Sequence, residues 1–513
     1  MADKILQIRS LPGIKRDGTR FEGDNYVDGQ WVRWQRGLPR KIGGYRSVSR
    51  FLPDIVRAMD EYTINALTYV YCGSANLLSS LFIDNDSNTS IIYDRTPASG
   101  FTADPNNLWQ FDIDTDAIGS NNIVAQVAPN LANIANNQGG AIFYGTVSDT
   151  TALTPITIPV SGNATGGIVS LHPYTFIYGD MGYIGWSVPG DCTDFSGSGS
   201  GAANITGQKI VKGLPLRGGA GNSPAGLFWS LDSLIRVTFV GGDTIFQFDT
   251  ITAQTSILSS SCVVEYDGIF YWVGVDRFLA YNGVVREVEN TMNINYFFDE
   301  LNFAQRQKVF AMKVPRFGEI WWCYPRGNAT EPSHAVIYNV RENTWYDTEL
   351  PNGGRAAGLS PVVYTKPLMT GIVPDDDGDD YRLWAHEMGV DEVDGQRLQP
   401  INAYFETADL SLPTLAQENN ALQVLMLEPD FVQTGDMTVQ VIGRANARSP
   451  EVYGPIMTFP DMDNITDPEQ QVVYFKEERR ELRFKFGSNV VGGDFQMGIC
   501  LAHLQPGDAT VIG

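Results

Sequence analysis

The sequence predicts an all-β chain: a six-bladed β-propeller with degenerate repeats, a C-terminal β-sandwich, and one helix near residues 293–310. Three observations carry this expectation. Apolar and polar residues alternate with period two over much of the chain, the pattern of a strand with one buried face. Asp-Gly and Asn-Gly pairs punctuate the alternation where two-residue hairpin turns need positive φ. Aromatic residues reach 11% of the 513 residues while charged residues fall to 19%, against an average near 25% charged. That composition excludes a coiled coil, a long helical bundle and a disordered chain.

Residues 1–42 are expected to form an N-terminal arm or closing strand. The opening MADKILQIRS lacks the apolar stretch of a secretory signal. The first fifty residues reverse the sign of the whole chain. Lys15, Arg16, Arg20, Arg33, Arg36, Arg40, Lys41, Arg46 and Arg50 outnumber Asp3, Asp17, Glu22, Asp24 and Asp28. Aromatic and Arg residues dominate binding energy at interfaces, so Trp31, Arg33, Trp34, Arg36 and Arg40 are the interface candidates. The competing reading makes this segment the first strand of the propeller, with its arginines solvated.

Residues 43–410 carry the repeats. The clearest spans 261–288, SCVVEYDGIFYWVGVDRFLAYNGVVREV, and reads as four strands joined at Asp267-Gly268, Val275-Asp276-Arg277 and Asn282-Gly283. Such a meander has the size of one propeller blade. Looser copies lie at 43–83, 168–188, 227–249, 309–347 and 367–407. Equivalent strand positions Phe228, Ile269, Ile320 and Leu383 are spaced by 41, 51 and 63 residues, near the roughly 40–50 of tetrad propellers. Residues 84–165, rich in Asn, Thr, Asp and Gly, read as an insertion or an elaborated blade with weak strands at LWQFDID and AIFYG. Between two blades, Ile294, Phe297, Phe298 and Leu301 fall at helical spacing, which predicts one amphipathic helix over 293–310. From 411 to 513 the strands alternate cleanly, as in TVQVIGRA, RELRFKFGS and DFQMGICLAHL, which predicts the sandwich.

Few residue patterns point to chemistry. Cys72, Cys192, Cys262, Cys323 and Cys500 form no CxxC pair, which argues against a disulfide framework or a Cys-type zinc site. His172, His334, His386 and His503 are 162, 52 and 117 residues apart, so no paired-histidine metal motif exists. Ser223 lacks the setting of a nucleophile elbow, and Gly197-Ser198-Gly199 and Gly218-Gly219-Ala220-Gly221 open no helix. The run 375–380 places Asp375, Asp377 and Asp379 at the alternate spacing of calcium ligands. It departs from a calcium loop in the place of its glycine and in having His386 at the twelfth position, so an acidic hairpin tip is the alternative. Glu265, Asp267, Asp276 and Glu319 lie on or beside strands, where propeller glycosidases keep paired carboxylates, but their spacing selects no pair. The chain is therefore expected not to be an enzyme and to need no cofactor. No apolar run is long enough to span a bilayer.

Three groups of motifs resemble the tail structural proteins of tailed bacteriophages. The first is Leu11-Pro12-Gly13-Ile14, Arg16-Asp17-Gly18-Thr19, YVDGQWVRW at 26–34 and RKIGGY at 40–45. The second is EIWWCYP at 319–325 followed by AVIYNVRENTWYD at 335–347. The third is RFKFGSNVVGGDFQMGICLAHLQPGD at 483–508. Among such proteins the chain is most similar to the tail nozzle or hub of short-tailed phages. That resemblance implies a structural virion protein made in the host cytoplasm, with six propeller subunits forming a ring below the portal and adaptor. It also implies a tube for genome exit that passes double-stranded DNA without gripping it, and outer contacts with tail fibres or tailspikes. The C-terminal sandwich departs from that pattern and resembles some long-tailed phage tail-tip proteins. A carbohydrate-binding or glycan-cleaving propeller at the tail tip is the alternative. With 59 acidic against 36 basic residues and a net charge of −23, a surface built to grip nucleic acid is excluded.

Overall fold

The computed structural model describes residues 4–509 except 20–22, 49–50, 65–66, 85–88, 99–107, 117–118, 129–140, 159–163, 217–223, 376–377, 412–419 and 462–471. The chain is all-β, with 57% of residues in strands and 4% in helices. Among the described residues no helix is long and apolar enough to cross a membrane.

Seven antiparallel meanders follow one another along the chain, six of them separate four-stranded sheets and the seventh part of a six-stranded mixed sheet. They occupy 56–94, 108–155, 167–204, 210–252, 263–287, 310–349 and finally 357–386. The last of these has only three strands of its own. Tyr45–Ser47 supplies the fourth, antiparallel to Gly378–His386, with His386 opposite Tyr45 and Trp384 opposite Ser47. The six units expected from the sequence are thus seven sheets, because the stretch read as an insertion is itself complete. Leu108–Thr115, Asn121–Ala128, Ala141–Thr146 and Thr154–Pro155 pair in order. The hairpin turns obey the residue chemistry. Asp267 and Gly268 both take positive φ, 51° and 79°, as a tight hairpin between Val263–Tyr266 and Ile269–Val273 demands.

Successive sheets pack face to face through aromatic rings. Trp229 of the fourth sheet meets Trp272 of the fifth at 5.7 Å between ring centroids, and Phe278 meets Trp322 of the sixth at 5.0 Å. Rings of this size dominate the burial that holds such sheets together. The first strands of sheets one to four lie side by side in order, as do those of sheets five to seven. The first strand of the seventh, Ala357–Leu359, returns to lie against Val56–Ile64 of the first.

The remaining strands build a second β-module from both ends of the chain. Lys4–Ile8 pairs with Cys500–Ala509 in a sheet completed by Asn420–Glu428 and Val473–Arg479. Asp28–Gln30 pairs with Ala403–Glu406, and that sheet continues through Glu481–Ser488, Met437–Arg444 and Val452–Phe459. Val32–Gln35 and Leu38–Lys41 join Asp494–Met497 and Phe431–Thr434. The N-terminal arm is therefore not a free arm. Lys4–Ile8, Asp28–Gln30 and Leu38–Lys41 pair with strands from the C-terminal part of the chain, and the strand that joins the seventh sheet is Tyr45–Ser47.

The expected helix is broken. Ile294–Phe298 is one short α-helix and Phe303–Lys308 a separate 3-10 turn. Leu301 between them is drawn into a β-bridge with Arg326, and that backbone pairing competes with a continuous helix. The Asp17 carboxylate accepts the backbone N–H groups of Asn295 and Tyr296 at 2.8 and 2.9 Å, so the N-terminal arm caps the short helix.

Candidate functional site: the central cavity

Where the first strands of the sheets converge there is a cavity of about 220 Å³, bordered by residues of the first, second, fourth, fifth, sixth and seventh sheets. One part of its wall is apolar, with Met59, Phe111, Met312 and Leu359. Another carries charge: Arg57, Asp60, Lys212 and Lys313. Strand alternation explains the mixture, since the first strands point one set of side chains between sheets and leave the other nearer the centre.

The carboxylates are firmly held. Asp60 Oδ1 accepts the Glu61 backbone N–H at 2.8 Å, and Oδ2 accepts the Tyr62 hydroxyl at 3.0 Å. Asp112, behind the wall, accepts the N–H groups of Ile113 and of Ser170 in the next sheet, both at 2.8 Å. Asp114 accepts the Thr175 hydroxyl at 2.8 Å and so joins the same two sheets. Burial pushes Asp60 up to about 6 and Asp112 up to about 7, against the downward pull of these hydrogen bonds and of Lys212. Burial lowers Lys212, opposed by the charges of Asp60 and Asp112.

The other cations have acids of their own. Arg57 pairs with Glu331, which also takes Lys308 at 2.8 Å. Lys313 Nζ donates to the Glu265 carbonyl at 2.8 Å and stands 3.6 Å from its carboxylate. Lys212 has no hydrogen bond or close ion pair of its own among the described residues.

The residues singled out from sequence lie elsewhere. Trp31, Arg33 and Trp34 are each 1% exposed, buried at the junction of the two modules and spent on internal contacts instead of facing a partner. Arg33 Nε lies 2.8 Å from Glu319, its Nη1 donates to Glu387 at 3.0 Å, and its guanidinium sits 3.7 Å from the centre of the Phe317 ring. Trp31 packs on Trp321 and Trp34 on Tyr346. Arg36 is exposed, and Arg40, half-buried, donates to Gln35 at 2.9 Å.

Asp375 and Asp379 fall on the two strands of one hairpin, Leu368–Asp375 and Gly378–His386. Asp377 and the side chains of Asp375 and Asp379 lie outside the described residues, as do Ser223 and 218–221. Among the described residues no group of three His, Cys, Asp or Glu is placed to hold a metal. Gly197 is tied to Asp194, whose carboxylate accepts the backbone N–H groups of Ser196 and Gly197.

The carboxylates considered for glycan cleavage do not converge. Glu319 is committed to Arg33, Asp267 sits in a turn, Asp276 pairs with the adjacent Arg277, and Glu265 caps the Gly268 N–H at 2.7 Å. Sequence reasoning missed Asp60, Asp112 and Lys212. The signal available was an acid next to large apolar residues within a first strand, as Asp60 beside Met59 in AMDEY and Asp112 between Phe111 and Ile113 in LWQFDID. The chain matches no protein-family model and no curated protein.

Proposed function

We propose that the chain is a structural subunit of a bacteriophage tail, of the nozzle or hub kind, assembled as a ring of six copies. In this reading the seven sheets close as a seven-bladed propeller, with Tyr45–Ser47 clasping the last blade. The observation that carries the reading is where the three groups of phage-like motifs meet. They lie hundreds of residues apart, yet Trp31, Arg33 and Trp34 pack on Trp321, Glu319 and Tyr346. The third group pairs with the first where Asp494–Met497 meets Leu38–Lys41, with Gln496 opposite Arg40. Motifs of a resemblance that touch one another across such distances support a shared architecture, because those residues depend on one another.

The genome would pass between copies and not through one chain. The central cavity of about 220 Å³ is far too small for a duplex whose major groove alone is about 12 Å wide. The ring would sit below the portal and adaptor, with tail fibres or tailspikes outside, in the virion. Glycan cleavage is the weaker reading, because Asp60 borders the cavity while Asp112 is turned toward Ser170.

Mass spectrometry of purified phage particles from the genome that encodes the chain, with electron microscopy of the isolated protein, tests this. The expected result is the chain in particles and six-membered rings in the micrographs. A chain absent from particles and monomeric throughout would overturn the reading.

A further inference from the structure

We infer that the central cavity binds one small hydroxylated organic anion, the chemistry of a single acidic sugar residue. The argument starts from Lys212. It borders the cavity, faces Asp60 and Asp112, and has no direct ion pair among the described residues. Lys212 is half-buried, and an ammonium partly shielded from water without a close partner is an open place for an anionic oxygen. The two acids that balance it are already engaged by protein N–H and O–H donors. Asp60 retains lone pairs for a ligand hydroxyl, since a carboxylate has about four acceptor positions. The Ser261 hydroxyl, also on the wall, has no protein partner among the described residues.

Size and surface point the same way. A cavity of about 220 Å³ holds about seven waters at roughly 30 Å³ each, the room of one monosaccharide. Met59, Phe111 and Leu359 give an apolar face for the C–H side of a sugar ring, which an inorganic anion would not use.

Protons should tune the site. Charges facing the cluster are Glu61 beside Asp60, Asp114, which shares Ser170 with Asp112 and has His172 beside it, and the paired Arg57–Glu331–Lys308 and Lys313–Glu265 groups. With every acid ionised and His172 neutral, these groups together with Asp60, Asp112 and Lys212 leave an excess of two negative charges, which opposes an anion. As pH falls through about 7 and then about 6, Asp112 and Asp60 take up protons, and Lys212 loses its compensation. Anion affinity should therefore rise as pH falls from 8 to 6.

Calorimetric titration of the full chain with glucuronate, glucose and inorganic phosphate tests this at pH 6 and at pH 8. Glucuronate should bind about tenfold more tightly than glucose or phosphate, consistent with one charge-assisted contact plus hydroxyl contacts. Its affinity should be several-fold higher at pH 6. Lys212→Met should weaken it about tenfold, whereas Lys313→Met, whose lysine is already partnered, should change it little. An oligosaccharide ending in a uronate should compete, and one with only internal uronates should not, which separates a chain end from any acidic polymer. Should Lys212→Met fail to fold, the pH and phosphate arms on the unaltered chain decide. Absence of glucuronate binding, equal binding of phosphate, or indifference to pH would overturn the inference.

Discussion

Arg33 illustrates how much one buried charge can commit a structure. Its side chain is 1% exposed and that of its partner Glu319 is 0% exposed, so neither ion can fall back on water. Burial raises Glu319, and Arg33 is the main force holding it down. Arg33→Met should therefore cost about 3–5 kcal/mol, as measured by urea unfolding. The loss should be larger at pH 8 than at pH 5, because an unpaired Glu319 must then stay protonated to remain buried. Adding Glu319→Gln should recover part of it. Asp60 makes the opposite case. Its folded value near 6 stands above the ordinary 3.8, so ionisation opposes folding, and stability from this group falls as pH rises between those values. Asn can still accept the Glu61 N–H and donate to the Tyr62 oxygen, and Asp112 still balances Lys212. Asp60→Asn should thus have no effect near pH 4 and stabilise by about 1 kcal/mol at pH 8, after allowing for water in the cavity. Thermal melts across pH would show it, and a constant difference would contradict it. The same residues mark a limit of sequence reading. The arginines and tryptophans at 31–40 stood out by composition, but whether such residues face a partner or their own chain depends on contacts hundreds of residues away.

At the scale of elements, what was readable was local. Hairpin turns and period-two strands were legible in 261–288, because Asp267-Gly268 and its flanking strands lie within a few residues of one another. The sheet at 108–155 was harder to see, since its strands are separated by Asn- and Gly-rich stretches. The pairing of Asp28–Gln30 with Ala403–Glu406 was not legible, because no local pattern names a partner so distant. Nor was the break in the helix, which Leu301 owes to its bridge with Arg326. This non-local pairing changes what truncation should do. The sequence alone suggests that removing residues 1–30 would leave a folded subunit unable to assemble. The sheets imply more damage, since Lys4–Ile8 and Asp28–Gln30 would vanish from two of them and Asp17 from the helix cap. Deleting residues 1–30 should abolish the cooperative melt followed by circular dichroism, and co-expressing the missing segment should restore it in part. A truncated chain that melts like the full one would show that these strands are dispensable.

At the scale of the whole molecule, both chain ends are locked into one module while the intervening residues make the series of sheets. Tyr45–Ser47 ties that module directly to the seventh sheet. Charge is distributed on a different plan. The basic excess near the N-terminus is consumed in part: Arg16 pairs with Asp28 and Asp347, Arg33 with Glu319 and Glu387, and Lys41 donates to the Gly493 carbonyl, while Arg36 and Arg46 stay exposed. Over the whole chain 59 acids outnumber 36 bases. In the proposed ring six copies at −23 each would carry −138, and counterion release drives DNA binding only where clustered cations meet phosphates. Duplex DNA should therefore bind poorly, even around 50 mM salt where electrostatic attraction is least screened. A gel-shift titration of the assembled ring measures this directly. Tight binding that weakens steeply with salt would require a cationic surface created by assembly, and would turn the proposed low-friction conduit into a clamp. Weak binding at every salt concentration is the expected outcome, because the wall of the proposed conduit would gain nothing from holding DNA that has to slide along it.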